Sequence, residues 1–383
     1  MTPKKILIIL IIVLLIVISI LIGYNFFIKK DLPSDVVDNT SGSFPQSGGA
    51  SPNTGSETSF SSQIKPISQE PVLGMTIDGI KVRYYSTNNG NVFESNLDGS
   101  GLTRISSAVL TGLAKIIWSP DKNKTIAIFN NNGEIKKYFY DFNTQINTSL
   151  DKDIRWVAWS PTGNKIAYQY YNSQNEDNNI SVAEPDGSQW NNILNTRIKN
   201  LIIEWPSSEL VSIRTKPSGL AQSIIYTIDL TNNNFKKILD EAYGFTVLWS
   251  PLGDKLLFSE TDSQGKNLKL KIADLTQSTI KELSLATLPE KCVWSQDNRT
   301  IFCAIPKTIS DLATLPDDYY KGTTSFNDDF WKINLDTEKV TKIFESRDTE
   351  TTSYDAKELL LPSLENYLLF INQKDNLLYS LEL

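Results

Sequence analysis

Acidic and aromatic residues are concentrated in one segment of the sequence, residues 306–330 (PKTISDLATLPDDYYKGTTSFNDDF). The candidate binding residues within this segment are Asp317, Asp318, Tyr319, Tyr320, Phe326, Asp328 and Asp329. Tyrosine rings beside carboxylates can contact a protein partner or bind a cation or a sugar. The paired acids do not have the spacing of a calcium-binding loop. The segment is therefore predicted to bind a partner, and the alternative is a mobile loop whose aromatic rings pack on neighbouring structure.

Histidine is absent from the whole sequence, and the two cysteines are Cys292 and Cys303. This composition excludes Ser-His-Asp and Cys-His catalysis, histidine-ligated metals and a zinc site built from cysteines. We therefore assign no catalytic residue and expect no metal or other cofactor. An enzyme built from this chain would need two positioned carboxylates, as glycosidases do, and no motif assigns such a pair.

The charge of the chain argues against one class of partner. The formal net charge is −7, and four of the lysines (Lys4, Lys5, Lys29 and Lys30) flank the apolar segment at the N-terminus. The rest of the chain is thus more acidic still, and no basic stripe follows in the sequence. Such a surface repels phosphate backbones, so we expect no binding to nucleic acid.

The N-terminal apolar run has the length of a membrane span. As a helix, residues 6–28 would reach ~34 Å, enough to cross a hydrocarbon core of ~30 Å. A cleaved signal peptide is the alternative, but residues 23–27 (GYNFF) offer no small-residue cleavage site. We predict a cytoplasmic head at residues 1–5 and a single-pass anchor in the cell membrane at residues 6–28. Two lysines and no acid precede the anchor, which favours an extracytoplasmic location for the rest of the chain.

A change of composition follows the anchor. Residues 29–70 are rich in Ser, Gly, Pro and Thr and contain few aliphatic residues. Such a segment cannot bury enough apolar surface to offset its loss of conformational entropy. We predict a flexible linker at residues 29–70 and a folded domain at residues 71–383.

A tryptophan-led pattern recurs through the folded domain. The tryptophans are Trp118, Trp159, Trp205, Trp249 and Trp294, at intervals of 41, 46, 44 and 45 residues. A small apolar residue stands two positions before each tryptophan, on the same face of a strand, and in most units a Ser-Pro turn follows. This period is typical of a four-stranded propeller blade. We predict that the tryptophans pack between neighbouring blades, and sugar stacking is the alternative.

The segments WSPDKNK, WSPTGNK and WSPLGDK, together with NLDGSGLTRIS, resemble the repeats of TolB-like β-propellers. Similar repeats occur in the propellers of prolyl-oligopeptidase-type peptidases. The resemblance covers roughly Val72 to Leu383 and implies a binding role through protein contacts. It also implies that a loop joining the second and third strands of a blade, such as residues 306–330, lies on the face with the channel entrance. Peptidase activity is not expected, because the chain has no histidine and no nucleophile-elbow motif.

The number of blades depends on the ends of the domain. Five units begin with a tryptophan, and partial units lie at residues 80–106 and at the C-terminus. We predict an all-β propeller with seven four-stranded blades. Six blades is the alternative, if the two partial units merge.

The two cysteines stand on either side of one predicted hairpin turn. If the turn centres between Asp297 and Asn298, Cys292 and Cys303 face each other across the hairpin, close enough for a disulfide. Two small buried hydrophobic side chains are the alternative.

The predicted function is that of a membrane-anchored, extracytoplasmic propeller that acts as a protein-binding or scaffold module. Its expected partners are the membrane, through residues 6–28, and an extracytoplasmic protein or glycan. The alternatives are a carboxylate-based carbohydrate-active enzyme and a propeller that binds a glycan or a small ligand.

Overall fold

Four-stranded antiparallel sheets make up the part of the chain that the structure, a computed structural model, describes, namely residues 64–346 and 353–383. Seven such sheets form the blades of a β-propeller. The all-β class and the seven-bladed architecture are thus confirmed, and the six-bladed alternative is wrong. The predicted head, the predicted anchor and the linker up to residue 63 lie outside the described residues. None of the described helices is long and apolar enough to span a bilayer.

The first described strand, β1 (Ile64–Pro66), belongs to the last blade. Blades 1 to 3 follow it with four strands each: β2 (Val72–Asp78), β3 (Lys81–Ser86), β4 (Val92–Asn96), β5 (Thr103–Ser106), β6 (Leu113–Trp118), β7 (Lys124–Asn131), β8 (Glu134–Asp141), β9 (Asn147–Ser149), β10 (Ile154–Trp159), β11 (Ile166–Tyr171), β12 (Asn178–Ala183) and β13 (Asn191–Asn195). Each blade is a meander in which consecutive strands pair.

Blades 4 to 6 repeat this arrangement: β14 (Ile202–Ser207), β15 (Leu210–Arg214), β16 (Ile225–Asp229), β17 (Phe235–Lys237), β18 (Val247–Trp249), β19 (Lys255–Glu260), β20 (Lys269–Asp274), β21 (Thr279–Glu282), β22 (Cys292–Trp294), β23 (Thr300–Pro306), β24 (Asp328–Asn334) and β25 (Val340–Phe344). A 3-10 turn, Pro289–Lys291, precedes β22, and the helix α1 (Asp317–Tyr320) lies between β23 and β24. The first strands of successive blades lie side by side, as β2 does with β6 and β10 with β14, so they form the inner wall of the ring.

Blade 7 is built from both ends of the domain. Its strands β26 (Ala356–Leu360), β27 (Tyr367–Asn372) and β28 (Leu378–Glu382) come from the C-terminus, and β1 is the outer strand. Ile64 pairs with Leu381 in antiparallel register. The strand β1 lies within the range 29–70 that the composition assigns to the linker. The predicted boundary at residue 71 is therefore too late, because this short polar segment forms a strand by pairing with the end of the chain.

The repeated Ser-Pro turn joins the first two strands of a blade through one serine. Its hydroxyl accepts a hydrogen bond from the backbone N–H five residues later, at Ser119 from Lys124 (2.9 Å), at Ser160 from Lys165 (3.1 Å) and at Ser250 from Lys255 (3.0 Å). The turn also requires a left-handed residue, which Gly163 (φ 69°) and Gly253 (φ 70°) supply without the steric cost of a Cβ atom. The sequence pattern is therefore the local chemistry of one tight hairpin.

The apolar core is divided among the interfaces between adjacent blades. One cluster joins Ile126 of blade 2 to Ile166 of blade 3, and another joins Val82 of blade 1 to Leu369 of blade 7. Every pair of neighbouring blades, including the last and the first, shares such a cluster. Each sheet thus buries both of its faces, and the ring is closed.

The repeated tryptophans lie at these interfaces. Three of them donate an indole N–H to the inner strand of the preceding blade: Trp118 to Gly74 O (2.8 Å), Trp159 to Ile117 O (3.0 Å) and Trp294 to Leu248 O (3.4 Å). Trp205 and Trp249 occupy the same position in their blades, and their Nε1 atoms are buried without a hydrogen bond to the described residues. The indole rings therefore join neighbouring blades.

A disulfide joins the first two strands of blade 6. Cys292 lies directly opposite Cys303 in the register of β22 and β23, and their sulfur atoms are 2.07 Å apart. Both residues are also buried in the interface between blades 5 and 6. The disulfide thus cross-links the first two strands of the blade that carries the segment 306–330.

Closure of the ring predicts a large loss of stability when Ile67, beside β1, is truncated. Ile67 is 3% exposed, packs between blades 7 and 1, and donates its N–H to Leu378 O at 2.8 Å. We expect Ile67→Ala in the full chain to lower the free energy of unfolding by about 2–4 kcal/mol, because a cavity opens at the closing interface. Urea unfolding followed by tryptophan fluorescence measures this. The exposed neighbour variant Lys65→Ala should change stability by less than about 0.5 kcal/mol. Equal stability of the two variants would contradict a stabilising role for the closure.

Candidate functional site

The segment rich in acids and aromatics is a folded insertion. Residues 307–327, called the insertion below, join β23 to β24, the second and third strands of blade 6. Its buried side chains, which include Leu315, Tyr319 and Phe326, form a small apolar core with Leu268 and Leu288 of the loops beside it. The Tyr319 ring stacks on the Phe326 ring with centroids 5.2 Å apart. This packing differs from the mobile loop considered as the alternative.

The carboxylate of Asp317 ties the insertion to blade 4. It accepts hydrogen bonds from Ser218 Oγ (2.9 Å) and from the backbone N–H of Gly219 (2.6 Å). A Cβ atom on Gly219 would lie 2.3 Å from Leu315 O, so only glycine allows this approach. Asp318 accepts the N–H of Thr314 at 2.7 Å, inside the insertion itself. Both acids therefore organise the backbone.

Loop 261–268 of blade 5 also contacts the insertion. The N–H of Leu315 donates to Gly265 O (2.9 Å), and Lys266 Nζ donates to Ala313 O (2.7 Å). Loops 215–224, 261–268 and the insertion each connect the second and third strands of their blades, so they lie on one face of the ring. We call these three segments the loop platform.

A buried ionic cluster lies under the insertion. Lys291 Nζ contacts Asp328 Oδ2 at 2.8 Å and Asp355 Oδ1 at 2.5 Å, and all three side chains are fully buried. The rings of Tyr319 and Phe326 lie over the ammonium, with centroids 5.3 and 5.2 Å away. The cluster joins the insertion to blades 6 and 7, because Asp355 immediately precedes β26.

Burial shifts pKa values in this cluster. Desolvation raises the pKa of Asp328 to about 6, against the opposing effect of Lys291. Burial also raises the pKa of the Tyr319 hydroxyl, and the nearby Asp355 carboxylate adds to this effect. The Tyr319 hydroxyl donates to Asp355 Oδ1 at 3.4 Å. These groups form one buried unit that includes two acids and one cation.

Asp329 also bonds to other residues of the fold. It is 6% exposed, accepts the N–H of Ser346 at 3.0 Å and forms an ion pair with Lys342 at 3.0 Å. Among the seven predicted site residues, Tyr320 is the large side chain that the structure leaves exposed, at 52%. Within the described residues, no group of three or more Cys, Asp or Glu side chains is arranged to hold a metal ion.

A cavity of about 320 Å³ opens on the same face of the ring, between blades 2, 3 and 4. Its lining includes the basic residues Lys115, Lys137, Arg155 and Lys216, together with Trp156. These residues come from the ends of several strands and are far apart in the sequence, so no local basic run indicates them. Trp156 was the one available signal, since it stands outside the repeat pattern three residues before Trp159.

No protein-family model and no curated protein sequence matches the chain. A solved structure of an oligogalacturonate lyase in complex with manganese is similar to it, with 12% identity, a TM-score of 0.61, and coverage of 86% of this chain and 96% of that one. The β-propeller domain of the Trilobed protease from Pyrococcus furiosus has 10% identity and a TM-score of 0.53, with coverage of 81% and 92%. TolB from Acinetobacter baumannii has 16% identity and a TM-score of 0.45, with coverage of 75% and 65%. At such identities the likeness to the lyase and to the protease domain is one of fold alone, in agreement with the seven-bladed β-propeller described above.

The buried cluster predicts a pH dependence of stability. The pKa of Asp328, about 6 in the folded protein, lies above the value of about 4 expected for an unfolded chain. The folded state therefore holds a proton that the unfolded state releases, and this contribution to stability is lost as the pH rises from about 4 to about 6. We expect the stability of the wild type relative to Asp328→Asn to fall over this range.

Urea unfolding of both proteins at intervals from pH 4 to pH 7 measures this difference. The matched control is Asp336→Asn, at an acid whose side chain is 59% exposed and pairs with Arg299 on the surface. Its difference from the wild type should not show this fall. A wild-type advantage over Asp328→Asn that grows with pH would contradict the raised pKa.

Proposed function

We propose that this protein is a single-pass membrane protein, anchored by residues 6–28 with a cytoplasmic N-terminus, whose propeller binds a protein partner outside the cytoplasm. The observation that carries the binding role is the loop platform. It is ordered by internal contacts, and it leaves large apolar side chains on its outer side. The apolar length of residues 6–28 and the composition of the linker support the anchoring role.

The exposed side chains of the loop platform come from segments that are bonded to each other. Leu312 is 90% exposed, Leu220 is 64% exposed and Tyr320 is 52% exposed. Leu220 follows Gly219, which Asp317 holds, and Tyr320 lies one helical turn after that acid. Leu312 precedes Ala313, which Lys266 holds. Apolar side chains on a surface that is ordered before binding suit protein recognition, because little conformational entropy is then lost in the complex.

The enzymatic alternative receives less support from the same contacts. Carboxylate catalysis needs two acids that converge on a substrate. Asp317, Asp328 and Asp329 instead accept hydrogen bonds or form ion pairs within the fold. The likeness to an oligogalacturonate lyase concerns the fold, and no pair of acids in or beside the insertion supports that activity here. Binding of a small ligand is the better second candidate, because the basic cavity favours it.

Photo-crosslinking in the native cell tests the protein-binding role. We expect a photoreactive amino acid at position 320 to form a discrete protein adduct, because this side chain is exposed on the loop platform. The matched control is the same probe at Leu364, which is 77% exposed in the turn between β26 and β27, at the opposite end of the strands. An adduct of equal yield from both positions, or from neither, would contradict the proposed interface.

Surface variants then separate specific binding from chance capture. Leu312→Asp should abolish most of the adduct from position 320, because it places a charge in the apolar contact. Leu364→Asp carries the same change on the opposite face and should leave the yield unchanged. Equal losses in the two variants would show that the adduct does not report the loop platform.

A further inference from the structure

We propose that the basic cavity between blades 2, 3 and 4 binds a small organic anion that has an apolar part and at least two negative charges. The cavity lies beside the loop platform, and this inference does not depend on the protein partner. It is carried by a nearly buried, unpaired lysine, by the other cations around it, and by the apolar residues that line the cavity with them.

Lys137 is the central observation. This residue of β8 is 6% exposed and lines the cavity. Its ammonium has no carboxylate or hydrogen-bond acceptor among residues 64–346 and 353–383, although the charge of a nearly buried side chain is usually paired. Burial lowers the pKa of Lys137, and the neighbouring Arg155 adds to this effect. A cation in this environment is stabilised by an anion that enters the cavity.

Three further cations surround the same space. Lys115 lies over the Trp156 ring with its Nζ 5.2 Å from the centroid, and no acid among the described residues forms an ion pair with it. Lys216 belongs to loop 215–224 and likewise has no recorded acid partner within the described residues. Arg155 approaches Asp153 at 4.0 Å and lies over the Tyr171 ring. One carboxylate among four cations leaves a net positive cavity in a protein whose net charge is −7.

The lining of the cavity also includes apolar residues, namely Ile117, Ile128, Ile135, Val157 and Leu201. The Trp156 indole is held in place because its N–H donates to Ile203 O at 2.8 Å. A volume of about 320 Å³ lies in the range of sites for small organic molecules. The cations would bind the charged groups of the ligand, and the isoleucines and the indole would contact its apolar part.

Lys137→Met tests the inference, since methionine keeps most of the apolar stem and removes the charge. The probe is phenyl phosphate, a dianion with an apolar ring, titrated calorimetrically into the full chain in an uncharged detergent. We expect the wild type to bind it, and Lys137→Met to bind at least about tenfold more weakly. The melting temperature of the ligand-free variant should equal or exceed that of the wild type, because an unpaired and partly desolvated charge is removed.

Two control variants and two control ligands complete the experiment. Lys136→Met changes the next residue of β8, which is exposed and pairs with Glu134, and it should bind phenyl phosphate as the wild type does. Lys216→Met, at an exposed position, should weaken binding without affecting folding. Inorganic phosphate should bind more weakly than phenyl phosphate, and neutral benzyl alcohol should not compete.

The outcomes separate an anion site from a lysine that merely packs its stem. Wild-type binding that Lys137→Met leaves unchanged, or no binding of phenyl phosphate by the wild type, would overturn the proposal. Inorganic phosphate binding as tightly as phenyl phosphate would overturn the role of the apolar lining. A ligand-free Lys137→Met that is less stable than the wild type would contradict the view that the ammonium is unpaired.

Discussion

Burial of both faces of every blade is the constraint on which the rest of this structure depends. A single four-stranded sheet has two faces, and here each face packs on the neighbouring blade through its own apolar cluster. Only a closed ring leaves no blade with an uncovered face. The pairing of β1 with β28 completes the last blade, and the cluster between blades 7 and 1 buries the remaining pair of faces. The position of every loop on either face of the ring follows from this closure.

The insertion shows how acids are used within this framework. Asp328 and Asp355 neutralise Lys291 under the insertion, while Asp317 holds the backbone of blade 4. Charges buried in this way are stabilising only when they are paired and hydrogen-bonded, which accounts for the close contacts around Lys291. The carboxylates therefore fix the insertion in place, and its side chains Leu312 and Tyr320 are left to face solvent.

The two proposed binding surfaces share one loop. Loop 215–224 contributes Lys216 to the basic cavity, and its Ser218 and Gly219 form the contact with the insertion. The order of the loop platform and the shape of the cavity thus depend partly on the same backbone segment. Both surfaces lie on the face where the first strand of each blade begins, opposite the Ser-Pro turns that repeat around the ring.

The sequence by itself determined the class of fold and favoured seven blades over six. The Trp-Ser-Pro pattern is local, because a hydrogen bond between residues five positions apart closes the turn at Ser119 and at Ser160. The repeat can therefore be recognised without knowledge of any distant contact. Only the tertiary structure decided that β1 is a strand, because its partner lies at the other end of the chain. It also decided that Asp328 is buried beside Lys291 and that Lys137 lies in a basic cavity, since the environment of a charge depends on side chains from several blades. Local hydrogen bonds join residues that are close in the sequence, so short patterns predict them. The burial and the electrostatic environment of a side chain depend on distant segments that meet only in the folded chain.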